Sequence, residues 1–137
     1  MEGRTYGTGT TYSRGINLLR IEEELSQVHL RFHKVQIENL DYQEIIRRYD
    51  RPHTLFYIDP PYWNCENYYG KGMFSKDDYL LLAEQLANIK GKFLLSLNDV
   101  SEIRQIFSAF KIEPVSVRYS CSTSQRLLAS EVFISNY

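Results

Sequence analysis

Leu55-Phe56-Tyr57-Ile58 runs directly into Asp59-Pro60-Pro61-Tyr62, and this junction constrains the fold more than any other feature of the chain. An unbroken run of apolar and aromatic residues predicts a strand buried on both faces. The two prolines must end it, because neither offers an N–H to a ladder and each fixes φ at about −65°. The expected product is a rigid shelf at the carboxyl edge of a sheet, where open α/β folds hold their ligands. Asp59 and Tyr62 stand on that shelf and call for a chemical explanation.

The periodicity on either side places the shelf within an α/β chain. Leu18, Ile21, Leu25, Val28 and Phe32 recur at helical spacing and predict an amphipathic helix over 16–33. A short strand is expected at Lys34–Glu38. Asp41 then opens a second helix, with Glu44 three residues on as a capping box. Beyond the shelf, residues 63–74 form a long aromatic loop punctuated by glycine, of the kind compact domains keep for function. Ser75 and Asp78 cap a helix bearing Tyr79, Leu82, Leu86 and Ile89, which Gly91 stops. Residues 92–97 read as a buried strand, and Asp99 with Glu102 as the cap of a helix carrying Ile103, Ile106, Phe107 and Phe110. From Val115 the period becomes two, through Val117, Tyr119 and Cys121. A last strand, LLASEVFIS, pairs antiparallel with that segment across a loop at 122–128. Strands and helices in this alternation predict an α/β sheet that ends in a hairpin.

Composition narrows the function classes. The 137 residues suffice for one domain with a core, and 43% apolar with 24% charged residues is ordinary for a globular protein. No apolar run approaches a membrane span and the first residues do not resemble a signal peptide, so a cytoplasmic location is expected. Cys65 and Cys121 suit a reducing compartment as free thiols. A net charge of −1 offers no general attraction to nucleic acid, so any DNA contact needs a local or borrowed positive field. His29 and His33 lie four apart on the first helix without a third ligand, and read as a solvated face, with no metal site expected. The glycine- and hydroxyl-rich residues 3–15 lack a preceding strand and a GK[ST], so they read as loop rather than phosphate cradle.

The Asp-Pro-Pro-Tyr shelf, in its setting, resembles the S-adenosylmethionine-dependent adenine-N6 DNA methyltransferases of the Dam-like group found in phages and restriction–modification systems. VQIENLDYQEII (35–46) resembles the segment whose acid holds the cofactor's adenine. KGMFSKDDYLLLAEQL (71–86), GKFLLSLND (91–99) and VRYSCS…EVFISNY (117–137) follow in the family's order. The resemblance covers about residues 16–137. It implies a Rossmann-like methyltransferase sheet, here incomplete, ending in an antiparallel hairpin, with S-adenosylmethionine as cofactor and DNA as partner.

The chemistry requires residues of these types. The exocyclic amine of adenine is a poor nucleophile because its lone pair is conjugated into the ring. A carboxylate and a backbone carbonyl accepting its two hydrogens aim that lone pair at a methyl sulfonium. Asp59 and the Pro60 carbonyl are the two acceptors the resemblance implies, with Pro61 holding the shelf and Tyr62 stacking on a base flipped out of the duplex. Positioning and electrostatics then carry the catalysis, without a metal. Asp41 and Tyr42 are the implied cofactor contacts, together with Asp59. Tyr62, Trp63, Tyr119, Ser120 and Arg126 are the implied contacts to the base and its strand. Tyr68, Tyr69, Lys71 and Lys76 bring aromatics and cations to the adjoining loop, and Asn98 ends a strand as Asp59 does.

The family's glycine-bearing cofactor loop, the acid-tipped strand after it and the DNA-reading domain have no counterpart in the sequence. Residues 1–15 therefore read as a remnant of the target-recognition region and 16–137 as the C-terminal part of a catalytic domain. The expected consequence is an exposed apolar strand edge, completed by a separate N-terminal half or by a homo-oligomer. Two functions follow: an adenine methyltransferase or half-enzyme, or an inactive remnant that at most binds nucleic acid or a partner.

Overall fold

The computed structural model describes residues 20–68, 70–118 and 128–137. Residues 3–15 and the sequence-predicted residues Tyr69, Tyr119, Ser120, Cys121 and Arg126 lie outside them. The chain divides into two units, residues 1–39 and 40–137.

In the first unit, α1 spans Ile21–Phe32, within the expected helix. Three glutamates, Glu22, Glu23 and Glu24, occupy its first turn, where the helix dipole favours anions. Leu25, Val28 and Phe32 recur at the expected spacing, but all three side chains are exposed. The strand expected at Lys34–Glu38 does not form. A strand exists only through its ladder, and this stretch does not join the four-stranded ladder of the described residues.

In the second unit, α2 (Tyr42–Tyr49) precedes β1 (Leu55–Ile58), α3 (Lys76–Ala87), β2 (Lys92–Asn98), α4 (Ser101–Ile106), β3 (Lys111–Arg118) and β4 (Leu128–Ser135). The result is a mixed α/β unit around a four-stranded sheet in the order β1-β2-β4-β3. β1 runs parallel to β2, with Phe56 beside Phe93 and Ile58 beside Leu95. β3 and β4 pair antiparallel as expected, and β4 also pairs antiparallel with β2, Leu97 facing Val132. The C-terminal strand thus lies between its hairpin partner and β2, leaving β1 and β3 at the edges.

Side-chain alternation sends Phe56, Phe93, Leu95, Leu97, Val132 and Ile134 to one face. There they join Ile46 of α2, Tyr79, Leu82 and Leu86 of α3, Ile103 of α4 and Phe107 at the end of α4, in one core. The other face is thinly covered. Leu55 and Tyr57 are 59% and 65% exposed, which corrects the expectation of a strand buried on both faces. Only the face that carries Phe56 and Ile58 joins the core, so among the described residues β1 is packed on one side.

Capping follows the sequence at α3, where Ser75 and Asp78 form the box and the Ser75 N–H donates to the Asp78 carboxylate at 2.8 Å. At α2, Asp41 is the N-cap and accepts from the Gln43 N–H at 2.8 Å. Glu44 does not complete a box there, because it pairs with Arg47 and Arg48. The cap expected from Asp99 and Glu102 is also replaced. Val100 occupies the N-cap, while the Arg104 guanidinium grips the Asp99 carboxylate at 2.6 and 3.0 Å and Ser130 adds a third bond.

Two side chains lock the entry to β2. Asp50 accepts the Lys90 and Gly91 N–H groups at 2.9 Å, and Asn136 bridges the Gly91 carbonyl and the Phe93 N–H at 3.0 Å each. Gly91 is buried, and a Cβ there would stand 2.8 Å from the Thr54 carbonyl oxygen. The backbones leading into β1 and β2 meet at that point, which requires glycine.

Candidate active site

Asp59 leaves β1 on the thinly covered face, and its neighbour there is Ser96. The Ser96 hydroxyl, on a residue only 4% exposed, donates to Asp59 Oδ1 at 3.1 Å. This bond selects a carboxylate orientation and leaves Oδ2 without a hydrogen bond among the described residues. The Pro60 carbonyl likewise accepts no bond among them. Two adjacent acceptors therefore stand ready at the end of a strand, where water or a ligand must satisfy them.

The next three residues are held firmly. The Pro61 carbonyl accepts the Tyr79 phenol at 2.8 Å, and the Tyr62 carbonyl accepts the Cys65 N–H at 2.7 Å. Asn98 then clamps Trp63 from both sides: its Oδ1 accepts the Trp63 N–H at 2.8 Å and its Nδ2 donates to the Trp63 carbonyl at 3.2 Å. A side-chain amide here imitates the edge of a neighbouring strand. Asn64 follows with φ at 68°, a left-handed conformation that asparagine tolerates better than most residues.

A row of aromatic rings runs beside this loop. The Trp63 indole packs on Tyr79 at 5.2 Å, Tyr79 meets Phe74 edge-on at 4.9 Å, and Phe74 meets Tyr42 at 6.0 Å. Lys76 Nζ sits 4.6 Å above the indole, a cation–π contact. The row joins the loop after the shelf to the start of α2, where Asp41 and Tyr42 stand. Burial pushes the Tyr79 phenol far above its ordinary range, with the nearby Glu66 and Cys65 adding to the shift. It is therefore a neutral donor to Pro61 at any physiological pH. Burial also raises the Tyr42 phenol, opposed by its bond from Gln43.

The structure thus gathers Asp59, Pro60, Pro61, Tyr62 and Trp63 on one loop, and links Tyr42 to it through ring contacts. Tyr62 and Trp63 are half-buried against the core, whereas Asp41 and Asp59 are exposed. Lys71 and Tyr68 are exposed on the loop beyond. Sequence reasoning missed Ser96 and the double use of Tyr79 as core residue and loop anchor. Ser96 had a signal: it is the one hydroxyl in KFLLSL, an otherwise apolar strand apart from its first residue, two positions before the strand-ending asparagine. The Tyr79 signal was hidden, because its helical spacing accounts for it fully as core.

Among the described residues no group of three or more histidine, cysteine, aspartate or glutamate side chains is arranged to hold a metal ion, and no helix is long and apolar enough to cross a membrane. No curated protein matches the chain. A family model described as D12 class N6 adenine-specific DNA methyltransferase matches residues 3–121, which takes in the shelf, its loop and the strand that carries Ser96 and Asn98. The chain belongs to the D12 class N6 adenine-specific DNA methyltransferase family.

Proposed function

We propose that the shelf is the catalytic centre for adenine-N6 methylation of DNA, acting on a base flipped out of the duplex. The observation that carries this reading is a pair of acceptors without a hydrogen bond among the described residues, Asp59 Oδ2 and the Pro60 carbonyl, beside a carboxylate oxygen already fixed by Ser96. The exocyclic amine has two hydrogens and needs two such acceptors. Asp59 Oδ2 takes one and is the acceptor for the proton the amine must shed; the Pro60 carbonyl takes the other. Tyr62 supplies the stacking face, and the preorganised loop spares the reorganisation that a mobile one would need.

S-adenosylmethionine supplies the electrophilic methyl group when bound. The residues at the start of α2 suit it. Asp41 caps the helix through Oδ1 and keeps an exposed second oxygen for a hydroxyl or amine, and Tyr42 offers a half-buried ring beside Phe74. Tyr119, Ser120 and Arg126 complete the reading as contacts to the base and its strand.

A second reading is that this chain acts as half of an enzyme. Its favouring observation is β1, whose outer edge has no ladder partner among the described residues although it carries the shelf. A strand from another chain, or from a further part of the protein, would complete the sheet and bring the glycine loop the sequence lacks.

Calorimetric titration with S-adenosylmethionine, followed by methyl transfer to an adenine-containing oligonucleotide, tests both readings. Binding that is lost in Asp59→Ala and weakened in Asp41→Ala, with transfer to adenine N6, supports the complete site. Binding and transfer that appear only after an N-terminal half is added support the second reading. Transfer that persists in Asp59→Ala would refute the assignment.

A further inference from the structure

Tyr62 is held in an unusual manner. The orientation of a side chain's root is set by the two peptide groups that flank it, since these define its φ and ψ. Both are anchored here by residues outside the motif. The Pro61–Tyr62 peptide is held through its carbonyl by the Tyr79 phenol at 2.8 Å. The Tyr62–Trp63 peptide is held through its N–H by Asn98 Oδ1 at 2.8 Å and through its carbonyl by the Cys65 N–H at 2.7 Å. Asn98 Nδ2 extends the grip to the Trp63 carbonyl.

We propose that Asn98 and Tyr79 are positioning residues for the stacking face of Tyr62, acting as two latches on the peptide groups that flank it. The proposal rests on the adenine-binding reading of the shelf and adds residues to it. The anchors come from rigid places. Tyr79 is fully buried in α3, held between Trp63 and Phe74, and Asn98 ends β2, which is paired on both sides. Neither anchor need touch a base. Each transmits the rigidity of a core element to a loop residue that must present a ring at a fixed angle, since a small misplacement of a reacting base carries a large rate cost.

Trp63 makes the idea measurable, because its own N–H is the group that Asn98 holds. The amide of Trp63 is followed by hydrogen exchange in the unsubstituted chain and in Asn98→Ala, Asn98→Asp and Tyr79→Phe. Stacking is followed by quenching of 2-aminopurine in a single-stranded oligonucleotide, with Tyr62→Ala as the reference for lost stacking. Asn98→Ala is expected to speed Trp63 exchange about tenfold, the loss of one hydrogen bond, without a change in the exchange of β2 core amides. Asn98→Asp keeps the acceptor and restores protection. Asn98→Ala and Tyr79→Phe both weaken 2-aminopurine quenching, Tyr79→Phe with its helix and core intact. Unchanged quenching in both variants overturns the proposal, as does unchanged Trp63 exchange in Asn98→Ala. If the unsubstituted chain itself shows no quenching, the adenine reading fails for the chain acting alone, and Trp63 exchange decides the latch.

Discussion

Replacing Gly91 by alanine tests the geometry that places the shelf. An added Cβ would lie 2.8 Å from the Thr54 carbonyl oxygen, 3.0 Å from that of Arg51 and 3.4 Å from the Thr54 Cβ. The two closest atoms are backbone, and neither is free to retreat. The Arg51 carbonyl accepts the Thr54 N–H at 3.0 Å, and the Thr54 carbonyl accepts the Lys92 N–H at 2.8 Å. Gly91 cannot move away either, because its N–H is bonded to Asp50 and its carbonyl to Asn136. Relief therefore requires breaking at least one of these bonds or separating the starts of β1 and β2. Overpacking of this kind costs about 1–3 kcal/mol, and the bond sacrificed adds about 1 kcal/mol, so a loss of roughly 2–4 kcal/mol is expected. For a unit of this size that lowers Tm by about 10–20 °C. Urea unfolding followed by far-UV circular dichroism measures it, with an unchanged m-value showing that stability alone has moved. A loss below about 0.5 kcal/mol, the range of ordinary surface substitutions, would refute the argument and mean that the two backbones part easily.

Three further outcomes are expected. Leu97→Ala, which empties a fully buried site between β4 and the helices, should cost about 2–5 kcal/mol in the same urea assay. Ser96→Ala removes the bond that orients Asp59; with the carboxylate exposed the loss is about 1 kcal/mol, so adenine methylation in single-turnover experiments should slow roughly fivefold with stability little changed. The Arg104 guanidinium holds the Asp99 carboxyl below its ordinary range, with Ser130 assisting. A depressed folded-state value stabilises the protein above the unfolded-state value and loses that contribution as pH falls through the folded one. Acid titration from pH 5 downward should therefore show a stability loss starting near pH 4 that is smaller in Arg104→Ala.

What the sequence revealed depended on whether local signals met a partner. The β2 strand was legible because Phe93, Leu95 and Leu97 alternate into a core that exists. The capping box at Ser75 and Asp78 was legible because both partners are within one turn. Reading failed wherever a nearby competitor took a group first. Glu44 went to Arg47 and Arg48 instead of the helix start, and Asp99 went to Arg104, which lies five residues on and four residues into its own helix. The strand expected at Lys34–Glu38 failed for another reason: alternation describes what a strand offers, while a ladder decides whether one forms. Leu55-Phe56-Tyr57-Ile58 predicts a doubly buried strand because a run of apolar residues carries no record of how many layers cover it.

The same division runs through the candidate site. Asp59-Pro60-Pro61-Tyr62 is contiguous, and its chemistry was readable from residue types alone. Its supports are Ser96, Asn98 and Tyr79, from 18 to 37 positions from the residues they bond, and only the parallel register of β1 on β2 and the approach of α3 bring them together. Asn98 shows why such supports escape a linear reading: ending a strand as Asp59 does, it resembles a second functional group, yet its two bonds are both to the Trp63 backbone. Both polar atoms of this side chain are engaged by the loop it holds. The contribution of Asn98 is the angle at which its neighbour meets a ligand, so the geometry of Tyr62 belongs as much to β2 and α3 as to the motif that contains it.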